Sequence, residues 1–291
     1  MSTDRVKQIT SLFQQQKPIQ AAETVFRGIL TNESDPAYKD ITTTLAALYS
    51  TIQAIDISQY DQQELTHYIY RLISVNCQTI KAAIMYKEPS LNKYEEPLLI
   101  GILDNVSKMV GPRHYGLFLQ KMKEKDNLFI SCQKKYAQLN LRDLLQIRHE
   151  HFPFTNMYDQ AMQVLNMIEK CTTATSMLNR LVDVQNEINK SLATVHGEVP
   201  VSFDADAHLS ILQFILIRSK IQHPFSISAF VESHFGAKDF STQYGFSLTT
   251  FTIAASSVLE ITGNANPRST VLNDTPLLTS NFSSRLFYGI S

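Results

Sequence analysis

Apolar residues recur at intervals of three and four along most of the first half of the chain, as expected for amphipathic α-helices. The clearest run is Ile41, Leu45, Leu48 and Ile52. A later apolar stretch, 98–109, is followed by Gly111 and Pro112, and this pair predicts the end of a helix. We expect residues 1–128 to form a bundle of helices that contains no chemical motif.

The helical pattern is stronger after residue 157. Five further helices are predicted: 157–171, one between the candidate N-caps 172–175 and Gly197, then 205–220, 228–235 and 248–261. The stretch 205–220 is apolar on nearly every side, which predicts a helix buried inside the fold.

These patterns predict an all-α protein, and the scarcity of turn-forming residues agrees, with only 9 Gly and 10 Pro in 291 residues. We expect an N-terminal helical bundle, residues 1–128, packed on a helical domain, residues 129–262. Residues 263–291 are rich in Ser, Thr, Asn and Pro, and predict a flexible polar tail.

Charge and cysteine content narrow the class of protein further. The formal net charge is −1, and a chain without a basic excess is not expected to bind nucleic acid. The three cysteines, Cys77, Cys132 and Cys171, lie far apart, which favours reduced thiols in the cytoplasm. The N-terminus has no apolar signal segment, and the longest apolar stretch, 209–217, is too short to cross a membrane. The sequence therefore predicts a soluble cytoplasmic protein.

His149 and His151 flank Glu150 and could suggest a metal site. Residues two apart on a helix point in different directions, and no third ligand follows nearby. We expect solvated side chains here, and no metal site.

Asp204 and Asp206 follow a short apolar run and allow two interpretations. A strand followed by Asp-x-Asp holds a divalent cation in many glycosyltransferases, because carboxylates suit Mg²⁺ or Mn²⁺. That arrangement needs a β-sheet, for which this sequence gives almost no signal. Alternatively, one of the two aspartates caps the helix that begins near residue 206.

Three ordered blocks resemble the VPS9 domain family. Residues 205–220, with Pro224 after them, are similar to its small-Asp-Asp segment leading into an apolar helix and a Pro-containing loop. Residues 161–180 are similar to its helix–Thr–helix entry. Residues 245–254 are similar to its Gly-Tyr-Tyr-Leu-Thr-Asn-Leu-x-x-Ala segment. The resemblance covers about residues 129–262.

This resemblance implies a guanine nucleotide exchange factor for a Rab5-like GTPase, acting without covalent chemistry or a cofactor. Asp206 would be the catalytic acidic finger that displaces GDP and Mg²⁺. The expected GTPase-binding residues are Leu209, Ser210, Phe214, Phe246 and Thr249. For Leu209, Phe214 and Phe246 the alternative is a place in the hydrophobic core. The expected partner is a Rab5-subfamily GTPase in its GDP-bound or nucleotide-free form, with recruitment to endosomal membranes left open.

Several positions depart from the family pattern, and the following bear on function. Ala207 replaces the second Asp, Ser210 replaces a Pro, Phe246 replaces the first Tyr and Thr250 replaces an Asn. These changes keep a second function open, namely a Rab-binding or scaffolding module with weak exchange activity. The Asp-x-Asp glycosyltransferase is the third alternative.

Overall fold

The structure, a computed structural model, describes residues 18–154, 156–199, 203–235 and 243–261, together with residues 7 and 11. Across these ranges the chain is helical and contains no strand, so the predicted all-α class is confirmed. The α-helices are α1 (Pro18–Leu30), α2 (Pro36–Gln53), α3 (Gln62–Lys87), α4 (Glu95–Lys121), α5 (Lys123–Tyr136), α6 (Leu141–Leu144), α7 (Asp159–Asn166), α8 (Ala174–His196), α9 (Ala205–Arg218), α10 (Pro224–Glu232) and α11 (Gln243–Glu260). Short 3₁₀ helices lie at Ile57–Gln59, Pro89–Tyr94, His149–His151 and Ile168–Lys170.

Helices α1 to α4 form the N-terminal bundle. The long helix α4 contacts α1, α2 and α3, and α2 also packs along α3. Local signals set where these helices begin: Asp35 caps α2, and Asp61 caps α3 in a reciprocal capping box with Glu64. The turn between α1 and α2 falls at residues 31–35.

The predicted helix end at Gly111 and Pro112 is wrong, because α4 continues through both residues to Lys121. Proline has no amide hydrogen, so the carbonyl of Lys108 loses its partner four residues along the helix. Pro112 and Lys108 both face solvent, where water can satisfy that carbonyl. Packing of α4 on both sides of Pro112 then stabilises the helix, although the Gly111-Pro112 pair favours a helix end.

Helix α8 follows the sequence expectation closely at both ends. Thr173 caps it in a capping box with Ser176, and Gly197 ends it with a φ of 82°, a left-handed conformation that suits glycine. Other predicted boundaries moved. The stretch 157–171 forms α7 and a separate 3₁₀ turn, while α10 and α11 each begin several residues before the predicted start.

Helix α9 lies at the centre of the second half, as its uniformly apolar sequence predicts. It contacts α5, α7 and α11, and residues 211–217 are all buried. Its N-terminal residues, 204–206, are exposed instead. One end of a buried helix therefore reaches the surface.

The two halves are packed against each other. Helix α10 contacts both α3 and α4, and α4 contacts α8. At the start of α8, the hydroxyl of Thr173 donates to buried Asp104 at 3.1 Å, and the hydroxyl of Ser107 accepts the amide of Ala174 at 3.2 Å. Helix α5 runs across residue 128, so the expected boundary between residues 128 and 129 falls inside one helix.

None of the helices in the described ranges is both long and apolar enough to span a bilayer. The predicted polar tail, residues 263–291, lies outside the described residues.

Candidate functional site

The two aspartates of the Asp-x-Asp sequence have different roles in the structure. Asp204 is the N-cap of α9, and its carboxylate accepts the amide of Ala207 at 2.9 Å. Asp206 lies in the first turn of the helix and is exposed. Among the described residues its side chain has no hydrogen bond or ion pair. The carboxylate of Asp206 is therefore not needed for capping, and it sits at the positive end of the helix dipole, which stabilises its charge.

This arrangement does not fit the glycosyltransferase alternative. Asp204 and Asp206 follow no strand, since the described ranges contain none, and the acids belong to the start of a helix. Within those ranges no group of three or more His, Cys, Asp or Glu residues has a metal-binding arrangement. The expectation of solvated side chains is wrong for His151, which is buried. Its ring packs edge-on against Phe203 at 5.3 Å between ring centroids.

The beginning of α11 forms a second part of the candidate site. Phe246 is exposed by 37%, unusual for so large an apolar ring, and Thr249 is half-buried one turn later. The hydroxyl of Thr249 has no hydrogen-bond partner among the described residues, whereas that of Thr250 donates to the carbonyl of Phe246 at 2.8 Å. Thr249 thus has a polar group available to a partner.

His208 connects the start of α9 with the start of α11. Its ring lies 5.4 Å from that of Phe203 and 5.8 Å from that of Phe246, measured between centroids. The side chain is only 6% exposed, and its Nε2 has no hydrogen-bond partner in the described structure. Burial lowers the pKa of His208 to about 4, so its ring is neutral near pH 7. The buried ring of His208 therefore joins the start of α9 to Phe246 on α11.

The remaining predicted partner residues divide between surface and core. Leu209 and Ser210 are half-buried on α9, close in sequence to Asp206. Phe214 is only 6% exposed, and its ring packs against that of Phe152 at 4.6 Å. Phe214 is therefore a core residue in this structure, which corrects its assignment to the partner surface. The apolar character of α9 on every side gave no way to tell its exposed face from its buried ones.

Two residues that the sequence did not single out also belong to this region. Ser247 occupies the second Tyr position of the family pattern; it is fully buried and its hydroxyl donates to the carbonyl of Gln243 at 2.9 Å. Ile253 is 37% exposed and lies two turns after Phe246 on the same side of α11. Phe246, Thr249, Thr250 and Ile253 therefore form an exposed stripe along the first part of α11, and none of these four side chains is charged. The spacing of three and four residues along α11 could have revealed Ile253.

These residues define an all-helical domain that exposes a carboxylate at the start of one buried helix, beside an uncharged face of another. Residues 158–263 match the family model of the vacuolar sorting protein 9 (VPS9) domain, so this part of the chain is similar to VPS9 domains. A comparison with curated proteins found no match. The VPS9 domain indicates nucleotide exchange of the Rab type, which involves no covalent catalysis, and a small GTPase as partner.

Proposed function

We propose that this protein is a guanine nucleotide exchange factor for a Rab5-like GTPase and that Asp206 is its catalytic residue. The observation that supports the proposal is that the two aspartates at the start of α9 have separate roles. Asp204 caps the helix, and Asp206 projects from its first turn without a partner in the described structure. A carboxylate so placed can enter a partner's nucleotide site without unravelling the helix that bears it.

The action of Asp206 would be electrostatic. A Rab holds GDP through backbone amides of its phosphate loop, a lysine on the phosphates and Mg²⁺. A carboxylate introduced there competes for the lysine and Mg²⁺ and repels the β-phosphate. One charge pair at roughly 4 Å, with an effective dielectric constant near 20, is worth about 4 kcal/mol. That free energy corresponds to roughly a thousandfold in an equilibrium or a rate.

The exposed stripe of α11 would hold the GTPase while the nucleotide leaves. The Phe246 ring offers apolar area, and the hydroxyl of Thr249 can hydrogen-bond a backbone group of the GTPase switch region. Ser210 and Leu209 are half-buried on α9 and would contribute the rim of the same contact. The stripe carries no charged group, so it suits an apolar switch surface better than a charged one.

A Rab-binding or scaffolding module remains the second candidate, favoured by the departures at Ala207, Ser210 and Phe246. Release of a fluorescent GDP analogue from a panel of purified Rab GTPases separates the two functions. We expect this protein to accelerate release from Rab5-subfamily members. Tight binding to nucleotide-free Rab without acceleration would instead identify the scaffolding module.

We further propose a cytoplasmic protein that reaches endosomal membranes through its GTPase partner. Rab GTPases act at membrane surfaces, and an exchange factor has to meet them there. Fluorescence microscopy of a tagged protein tests this point. Recruitment that depends on the Rab supports it, and an even cytoplasmic distribution with an active Rab present would contradict it.

A further inference from the structure

His208 occupies a buried position where a purely apolar residue would destabilise the fold less. A buried imidazole nitrogen without a hydrogen bond lowers the stability of the folded state, and Nε2 of His208 has no partner in the described structure. The ring is nevertheless held between two aromatic side chains, Phe203 on the approach to α9 and Phe246 on α11. An aromatic ring at this place has a geometric consequence that an aliphatic side chain would not reproduce.

That consequence concerns Phe246. Its ring is 37% exposed, so one side faces solvent, and the ring of His208 meets it at an interplanar angle of 73°. Edge-to-face contact of this kind fixes the orientation of a ring in addition to burying area. His208 is also two residues from Asp206 on the same helix. Its ring therefore sets where Phe246 stands relative to the first turn of α9, which carries Asp206.

We propose that His208 is a positioning residue of the exchange site: through its ring it holds Phe246 in the orientation that receives the GTPase, while Asp206 acts on the nucleotide. This assignment rests on the proposed exchange function. It separates two kinetic roles. Loss of the ring at 208 weakens capture of the GTPase, and loss of charge at 206 slows nucleotide release from the captured GTPase.

The test measures GDP release over a range of exchange-factor concentrations with a responsive Rab5-subfamily GTPase. His208→Ala is expected to raise the half-saturating concentration between about twofold and tenfold, the value of one aromatic pair, with the rate at saturation retained. His208→Phe restores the ring and is expected to restore the half-saturating concentration. Phe also removes the unpartnered nitrogen, so its melting temperature is expected to equal or exceed that of the unmodified protein.

A double-mutant cycle with Phe246→Ala decides whether His208 acts through Phe246. In the Phe246→Ala background, His208→Ala is expected to produce little further change, because the contact is already gone. If His208→Ala does not fold, His208→Leu takes its place, since leucine fills the space without a ring edge. Fully additive effects, or failure of His208→Phe to restore capture, overturn the assignment while the exchange function stands. No acceleration by the unmodified protein overturns both.

Discussion

The carboxylate of Asp126 accepts the backbone amide of Phe225 at 2.9 Å, although 99 residues separate them in the chain. Its other oxygen accepts the hydroxyl of Ser226 at 2.5 Å, so Asp126 caps the start of α10 from a neighbouring helix. The Ser226 hydroxyl also lies 3.2 Å from the carbonyl of Phe118 on α4. Residues from the first 128 positions thus complete a helix within the part of the chain that matches the VPS9 domain.

This dependence predicts the behaviour of a truncated protein. A fragment beginning at residue 129 lacks Asp126 and exposes the apolar surface of α10 that α3 and α4 cover. We expect it to aggregate or to be insoluble. Size-exclusion chromatography of the purified fragment measures this. A soluble fragment with full exchange activity would show that the N-terminal bundle and the exchange domain are independent.

The close packing around Gly111 predicts a second effect at the contact between the N-terminal bundle and the second half of the chain. A Cβ at this position would lie 2.9 Å from the backbone carbonyl of Thr172, just before α8, so the two segments can approach only where a side chain is missing. Gly111→Ala is expected to lower the free energy of unfolding by about 1–3 kcal/mol, the usual effect of overpacking.

Gly116 supplies the matched control in the same helix. A Cβ there meets nothing within 4 Å, so Gly116→Ala is expected to stabilise the protein by roughly 0.5–1 kcal/mol through helix propensity. Chemical denaturation of both variants gives the comparison. Equal effects of the two substitutions would mean that α4 and the Thr172 segment do not approach closely.

Buried histidines predict how stability depends on pH. Burial lowers the pKa of His234 to about 4 from an ordinary 6.5. Burial, together with neighbouring His234, also holds the pKa of His114 well below its ordinary value. A histidine that is held neutral in the folded state stabilises it above pH 6.5. That contribution is lost as the pH falls from 6.5 through 4, because the unfolded chain binds the proton more readily.

For His234 alone, the free energy of unfolding lost over this pH range is about 3 kcal/mol. Replacing it in His234→Phe is expected to flatten the melting temperature between pH 7 and pH 4.5, relative to the unmodified protein. Burial raises the pKa of Glu232 to about 7, which acts with opposite sign, so only the difference between variant and parent isolates His234. His67→Gln, at an exposed position, is the control and should leave the slope unchanged. If His234→Phe leaves the dependence of melting temperature on pH unchanged, His234 is not held neutral by burial but contacts water.

Replacing Phe246 by tyrosine is expected to increase exchange activity. The family pattern has a tyrosine at this position, and the exposed ring leaves room for a hydroxyl at the proposed interface. A net hydrogen bond contributes about 1 kcal/mol, so Phe246→Tyr is expected to increase exchange efficiency about fivefold. Tyr244→Phe, which removes an exposed hydroxyl from another side of the same helix, is the control and should have no effect. Reduced exchange by Phe246→Tyr would place Phe246 in a closed apolar contact.

The sequence predicted the helical class and several helix ends because these depend on local signals, such as the capping box at Thr173 and the left-handed Gly197. It failed at Pro112, where packing of a long helix outweighs the local breaker. It identified the Asp204-Ala-Asp206 segment but could not assign the cap, since both aspartates suit that role. The sequence could not show that Phe214 lies in the core, because its burial depends on contact with Phe152, a residue distant in sequence. His208 was missed because its importance lies in a contact with another helix.

The central claim concerns the charge of Asp206. Asparagine caps helices about as well as aspartate, so Asp206→Asn and Asp204→Asn should both fold with nearly unchanged melting temperature. The two variants differ in what they remove: Asp204→Asn keeps the cap and the Asp206 carboxylate, whereas Asp206→Asn removes the carboxylate proposed to displace GDP.

The most direct measurement is GDP release from a responsive Rab5-subfamily GTPase at saturating exchange factor, with melting temperatures recorded for both variants. The proposed mechanism predicts release slowed by orders of magnitude for Asp206→Asn, with GTPase binding retained, and near-normal release for Asp204→Asn. Release by Asp206→Asn as fast as by the unmodified protein would contradict the catalytic role of Asp206.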